Sequence, residues 1–130
     1  MKFRRVVITG LGAVTPIGND VPTYWTNLLS GVGGSAPITL FDSSAFKTHF
    51  ACEVKGFNPE EEFDRKELKK YDRYVQFALK ATREAIADSA LDVETVDSDR
   101  VGVVFATGVG GITSMENEME AVLSDGKGLQ

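Results

Sequence analysis

Glycines, one cysteine, one histidine and a cluster of lysines are the residues of this sequence whose types and spacing could do chemistry. The stretch VVITGLGAVTPIG, residues 6–18, ends a β-branched run at Gly10 and places a second glycine at Gly12. A glycine-rich turn between a strand and a helix can hold the pyrophosphate of a dinucleotide. Gly10 and Gly12 fit the first two positions of that motif, but Thr15 occupies the third.

Two further features bear on this dinucleotide alternative, which is an NAD(P)-binding domain like that of the short-chain dehydrogenases. Asp42 follows an apolar run at a distance that suits a ribose ligand. Against it, Val14 replaces the last glycine of the short-chain motif, and no tyrosine is followed four residues later by a lysine. In the competing interpretation, Gly10 and Gly12 let the chain leave a buried strand through a tight turn that can require positive φ.

The cysteine and the histidine offer little chemistry. Cys52 lies between Phe50 and Val54 in a predicted short strand, which indicates a buried structural thiol. His49 is predicted to lie in a loop or at the surface. With one residue of each type, the sequence provides no ligand set for a structural zinc ion, and we predict no metal site.

Composition places the chain among globular proteins. The 130 residues are 42% hydrophobic and 25% charged, which suits one domain without an internal boundary. The net charge of −5 argues against nucleic-acid binding. No stretch resembles a signal peptide or a membrane span, and one unpaired cysteine suits a reducing cytosol, so we expect a cytoplasmic protein.

Hydrophobic periodicity predicts strands that alternate with helices, and therefore a layered α/β fold with a mainly parallel sheet. Two buried strands are too few for a stable sheet, so we expect this sequence to hold only part of the fold. The predicted strands are residues 3–9, residues 50–54 and residues 101–106. The predicted helices start at Asn19 or Asp20 and stop at Gly31, run from Lys66 or Tyr71 to Ser89, and start near Ser114 with a Thr113–Glu116 capping box.

Five segments in order resemble the β-ketoacyl-[acyl-carrier-protein] synthases, in particular the synthase II type of bacterial fatty-acid elongation. Together they cover nearly the whole chain, which makes them more specific than one glycine loop. They are RRVVITGLGAVTPIGND at 4–20, YWTNLLSG at 24–31, FDSSAFKTHFACEVKGFN at 41–58, RKELKKYDRYVQFAL at 65–79 and RVGVVFATGVGG at 100–111.

The resemblance implies a thiolase-like layered α/β fold, of which residues 1–130 would form only the opening part of the first α/β half, in a homodimer. It also implies an acyltransferase that needs no cofactor. A cysteine accepts an acyl group from acyl carrier protein, malonyl-carrier protein loses carbon dioxide, and the resulting carbanion lengthens the acyl chain by two carbons. The family's cysteine lies in a Thr-Ala-Cys-Ser-like turn that does not occur before Gln130, so the fragment by itself is expected to be inactive.

Two binding sites follow from the resemblance. Lys66, Lys69 and Lys70 match the positions at which the family docks the acidic helix of acyl carrier protein. Val109, in the loop TGVGG, matches the position that limits how deeply the acyl chain enters its pocket. A third interpretation, a complete and non-catalytic binding module that uses the basic segment on an acidic partner, remains open.

Overall fold

Helix α4, Arg73–Ser89, is the longest element of the computed structural model, which describes residues 3–125. Asp72 caps its first turn by accepting a hydrogen bond from the backbone N–H of Arg73 at 3.0 Å. The helix ends as the sequence predicts, at Ser89, and Ala90 follows with a left-handed φ of 52°. An apolar period and a capping residue therefore specify this element locally.

Helix α1, Val21–Leu29, also lies where the sequence predicts it. The Asp20 side chain accepts a hydrogen bond from the Thr23 N–H at 2.7 Å, and Pro22 lies in the first turn. Proline is tolerated there because the first N–H groups of a helix have no acceptor within the helix.

Four shorter helical segments and one small sheet complete the described elements. Helix α5 begins at Ile112, so Thr113 lies inside it and the predicted capping box is wrong. The sheet is antiparallel and pairs Ala36 with Ala51 and Pro37 with Phe50. The elements are β1 (Ala36–Pro37), β2 (Phe50–Ala51), α2 (Pro59–Glu62), α3 (Arg65–Leu68), a 3₁₀ turn (Ser98–Arg100) and α5 (Ile112–Asp125).

The two predicted buried strands do not form within residues 3–125. Residues 3–9 and 101–106 belong to no strand, and their side chains are exposed, Val6 by 89% and Val104 by 94%. A strand is stable when neighbours take its backbone hydrogen bonds and apolar layers cover its faces. Here α4 and parts of both segments, around Thr9–Gly12 and Gly102–Phe105, border one open groove, and Val103 and Val104 stay exposed.

A small core lies where α2 and α3 meet α4. Phe63 is 6% exposed and its ring contacts Tyr71 edge-on, with centroids 6.1 Å apart. Gln76, buried on α4, donates from Nε2 to the Tyr71 carbonyl at 2.8 Å, so its burial is compensated. This core fixes the position of α3 relative to α4.

Across residues 3–125, no helix combines the length and the apolar character that crossing a membrane requires.

Candidate functional site

The glycine loop packs directly onto helix α4. A Cβ atom added at Gly10 would lie 2.7 Å from Ser89 Cβ, and one added at Gly12 would lie 2.8 Å from the Ala81 carbonyl carbon. Neither glycine has a positive φ. Close approach of backbone to helix therefore explains these glycines, and the turn does not require a positive φ at either of them.

Carboxylates of α4 accept hydrogen bonds from the backbone N–H groups of this loop. Asp88 Oδ2 accepts from the Leu11 N–H at 2.9 Å, and Glu84 Oε2 accepts from the Ala13 N–H at 2.9 Å. A dinucleotide phosphate would need these amides free, and it would be repelled by both carboxylates. The geometry thus does not support the dinucleotide alternative. Asp42, its candidate ribose ligand, instead accepts a hydrogen bond from the Ser44 N–H at 3.0 Å within its own loop.

Glu84 also reaches a second element. Its Oε1 accepts from the Val21 N–H, the first amide of α1, at 2.7 Å. The adjacent Asp20 cap has its pKa lowered by the hydrogen bond from the Thr23 N–H and then by that from the Thr23 hydroxyl. The sequence analysis missed Glu84 and Asp88. The sequence does contain a pattern that could have indicated them. Glu84 and Asp88 are spaced i, i+4 on one helix face, beside the small residues Ala81 and Ala85, where a glycine-rich segment can approach closely.

The basic segment, Asp64–Arg73, presents three lysines to solvent. Lys66, Lys69 and Lys70 are all exposed, and helix α3 that carries the first of them is held by a reciprocal capping box between Asp64 and Glu67. The lysines therefore project from a fixed backbone, which suits the capture of an acidic surface.

Neighbouring cations are engaged within the chain. Lys80 forms an ion pair with Glu62, the one ion pair that the described residues contain. The Arg73 guanidinium lies 4.9 Å from the Phe77 ring centroid, and that of Arg83 lies 4.8 Å from the Phe63 ring centroid. The charges available to a partner at this surface are thus those of the three lysines and of Arg65, which is also exposed.

The loop Thr107–Gly111 connects the segment 101–106 to α5. Its backbone is closed by a hydrogen bond from the Gly110 N–H to Thr107 Oγ1 at 3.1 Å, and Gly110 has a φ of 82°. Val109 is 67% exposed. Its expected role in limiting acyl-chain entry stays a prediction.

Two apolar grooves border this loop, and Val109 lines neither of them. One groove, of about 410 Å³, lies between the first half of α4 and Phe105–Thr107. The other, of about 620 Å³, lies between Asp72, Gly111 and the apolar face of α5.

Cys52 is exposed, so the prediction of a buried thiol is wrong. The strand β2 ends at Ala51, one residue before Cys52, and no layer covers this edge within residues 3–125. His49 is exposed outside the strands, as predicted. The described residues also bring together no group of three or more histidine, cysteine or acidic side chains that could hold a metal ion.

The family model and the curated relatives that match this chain point to the same protein family. Residues 3–128 match the family described as beta-ketoacyl synthase, N-terminal domain. The 3-oxoacyl-[acyl-carrier-protein] synthase 2 of Coxiella burnetii (strain RSA 493 / Nine Mile phase I) is 45% identical over 97% of this chain. The same-named protein of Staphylococcus aureus (strain COL) is 44% identical over 95% of it. The chain spans about 30% of the length of these relatives.

Solved structures agree on the fold. The ishigamide ketosynthase/chain length factor superimposes with a TM-score of 0.73 at 33% identity, over 95% of this chain and 31% of that one. A ketosynthase solved in complex with a type II polyketide acyl-carrier protein gives a TM-score of 0.73 at 25% identity, over 92% and 30%. These neighbours confirm the predicted fold class, a partial thiolase-like α/β fold.

Proposed function

Because this chain belongs to the β-ketoacyl synthase family, whose N-terminal domain it matches over residues 3–128, we propose that it is the N-terminal part of a 3-oxoacyl-[acyl-carrier-protein] synthase. The proposed enzyme condenses an acyl thioester with malonyl-acyl carrier protein in fatty-acid elongation. The observation that carries the proposal is the 45% identity to a synthase 2 over nearly the whole chain. Residues 1–130 would form one continuous part of the first α/β half.

In this proposal the chain supplies scaffold and binding surfaces, while the nucleophilic cysteine lies in the remainder of the enzyme. The exposure and the sequence context of Cys52 support this division of roles. An acyl-transfer cysteine is activated by a helix N-terminus or a neighbouring base and is accompanied by an oxyanion hole. Cys52 instead follows the end of a two-residue strand.

A hybrid synthase tests the proposal. Residues 1–130 replace the matching N-terminal segment of the Staphylococcus aureus synthase 2, and condensation is measured with acyl- and malonyl-carrier protein. A second hybrid with the Coxiella burnetii segment controls for the junction. We expect both hybrids to be active. A control that is active beside a folded but inactive hybrid synthase would contradict the proposal.

We further propose that Lys66, Lys69 and Lys70 dock the acyl carrier protein. Their exposure on a capped segment supports this assignment, and the ketosynthase neighbour is itself a complex with such a carrier. Charged groups at the edge of an interface act mainly on the association rate, by steering the partner.

Charge reversal tests the docking surface. In the hybrid synthase, Lys66→Glu with Lys70→Glu is expected to slow association with holo-carrier protein about tenfold at low ionic strength, and less at high salt. Lys47→Glu with Arg100→Glu, at two exposed cations outside the basic segment, is the control that makes the same change of net charge. Equal association rates for the docking variant and the parent at low salt would remove the assignment.

We also propose that Val109 limits acyl-chain entry, that the complete enzyme is a homodimer and that it is cytoplasmic. The loop that carries Val109 borders two apolar grooves through Thr107 and Gly111, which supports the first point. The exposed apolar residues of α5, Met115, Met119 and Leu123, support an apolar interface. The single cysteine suits a reducing compartment. Sedimentation equilibrium of the hybrid synthase measures the oligomeric state, and an active monomer would contradict the dimer.

A further inference from the structure

Asp72 joins the basic segment to helix α4. Its Oδ1 accepts from the Arg73 N–H at 3.0 Å, and its carbonyl accepts from the Val75 and Gln76 N–H groups at 2.9 and 3.1 Å. On the other side, the N–H groups of Lys70 and Tyr71 both donate to the Glu67 carbonyl at 2.9 Å. Hydrogen bonds therefore order the backbone on both sides of Asp72, in the docking segment up to Tyr71 and in the first turn of α4.

The second carboxylate oxygen of Asp72 lies against Gly111. A Cβ atom added at Gly111 would stand 2.8 Å from Asp72 Cγ and closer still to Oδ2. Gly111 is the last residue before α5, and its carbonyl accepts from the Met115 N–H at 3.0 Å in the first turn of that helix. Asp72 thus contacts the point at which the Thr107–Gly111 loop becomes α5.

This contact is specific within the loop. A Cβ atom added at Gly108 or Gly110 would meet no atom within 4 Å in the described structure, whereas one at Gly111 would meet three atoms of the Asp72 side chain. The separation between Asp72 and Gly111 therefore sets how closely the loop approaches the start of α4.

We propose that Asp72 is a positioning residue that fixes the Thr107–Gly111 loop, and with it Val109, relative to the carrier-docking segment. The inference rests on the proposed function, because it links the proposed docking surface to the proposed acyl-chain limit. Asp72 acts through the loop backbone and touches no reacting atom. A change in the Asp72–Gly111 separation alters the acyl-chain preference, since pocket depth depends on where the loop lies.

Enlarging the side chain at position 111 and then shortening the one at position 72 tests the inference in the hybrid synthase. Gly111→Ala forces the loop away from Asp72 and is expected to change the ratio of kcat/KM for a medium-chain over a long-chain acyl-carrier substrate about tenfold. Adding Asp72→Ser shortens the opposing side chain, keeps a good helix-capping residue and restores the parent ratio. Gly33→Ala is the matched control, because its added Cβ would meet no atom within 4 Å.

The outcomes separate the inference from the function on which it rests. Loss of stability without a change in the chain-length ratio would assign Asp72 a merely structural role and overturn the inference. A shifted ratio that Asp72→Ser fails to restore would overturn it as well, while leaving the proposed function intact. A parent hybrid synthase without condensing activity, beside an active control hybrid, would remove both.

Discussion

Glu84 is a single side chain that serves two elements. One oxygen accepts from Ala13 in the glycine loop and the other from Val21 at the start of α1. Val21 opens α1, and neither its amide nor that of Ala13 donates to a backbone carbonyl, so the carboxylate satisfies donors that would otherwise need water. Glu84 therefore fixes the path of the chain between the loop and α1.

Replacing the Glu84 carboxylate by an amide removes one hydrogen-bond acceptor while leaving the size of the side chain unchanged. Glu84→Gln keeps one acceptor oxygen but turns an NH₂ group toward a backbone N–H, so one donor loses its partner. We expect the hybrid synthase to lose about 1–3 kcal/mol of unfolding free energy in urea denaturation. Glu94→Gln, at an exposed residue, makes the same chemical change and should cost close to nothing. Equal losses in both variants would show that charge, and not the two hydrogen bonds, is responsible.

Helix α4 organises the described structure at the level of elements. Its carboxylates hold the glycine loop, its first turn contacts Gly111 through Asp72, and its middle covers the Phe63 core. Its C-terminus carries an unfavourable feature, because Ala90 adopts a φ of 52° that L-residues other than glycine and asparagine rarely adopt.

Because of the strain at Ala90, replacing alanine by glycine should have opposite effects on stability at two positions near the end of α4. Ala90→Gly removes a Cβ clash at the left-handed position and should raise the unfolding free energy of the hybrid synthase by about 0.5–1 kcal/mol. Ala87→Gly, one turn earlier in the same helix, should lower it by about 1 kcal/mol. Thermal unfolding of the two variants measures both effects, and a destabilised Ala90→Gly variant would contradict the assigned strain.

Sequence patterns predicted the elements that are specified locally. Asp20 with Pro22 defined the start of α1, and the apolar period of α4 defined its face and its end at Ser89. The patterns failed for residues 3–9 and 101–106, because an apolar run shows that a segment is suited to burial and does not supply the partners that bury it. The contacts of Glu84 with the glycine loop were missed for a related reason, since they join residues 71 positions apart.

The whole molecule exposes far more surface than a folded protein of its size. Its accessible area is 11,007 Å² for 14.1 kDa, whereas a folded monomer of that mass exposes about 6,700 Å². The excess includes large apolar side chains of the two segments predicted as buried strands, among them Val6, Val103 and Val104. Because the matched relatives are more than three times as long as this chain, the remainder of such an enzyme has the length needed to cover this surface.

A substitution at Val104 tests whether the rest of the enzyme covers the exposed segment 101–106. In the isolated chain, Val104→Thr should reduce binding of the hydrophobic dye ANS, because it replaces an apolar side chain that is 94% exposed. In the hybrid synthase the same change should lower the unfolding free energy by about 1–3 kcal/mol, because covering the segment buries a hydroxyl group. Val93→Thr, at a residue 59% exposed in a turn, is the control and should leave the hybrid unchanged. A hybrid synthase indifferent to Val104→Thr would mean that the segment stays exposed in the longer protein, and that the excess surface of this chain is not the face on which the rest of the enzyme packs.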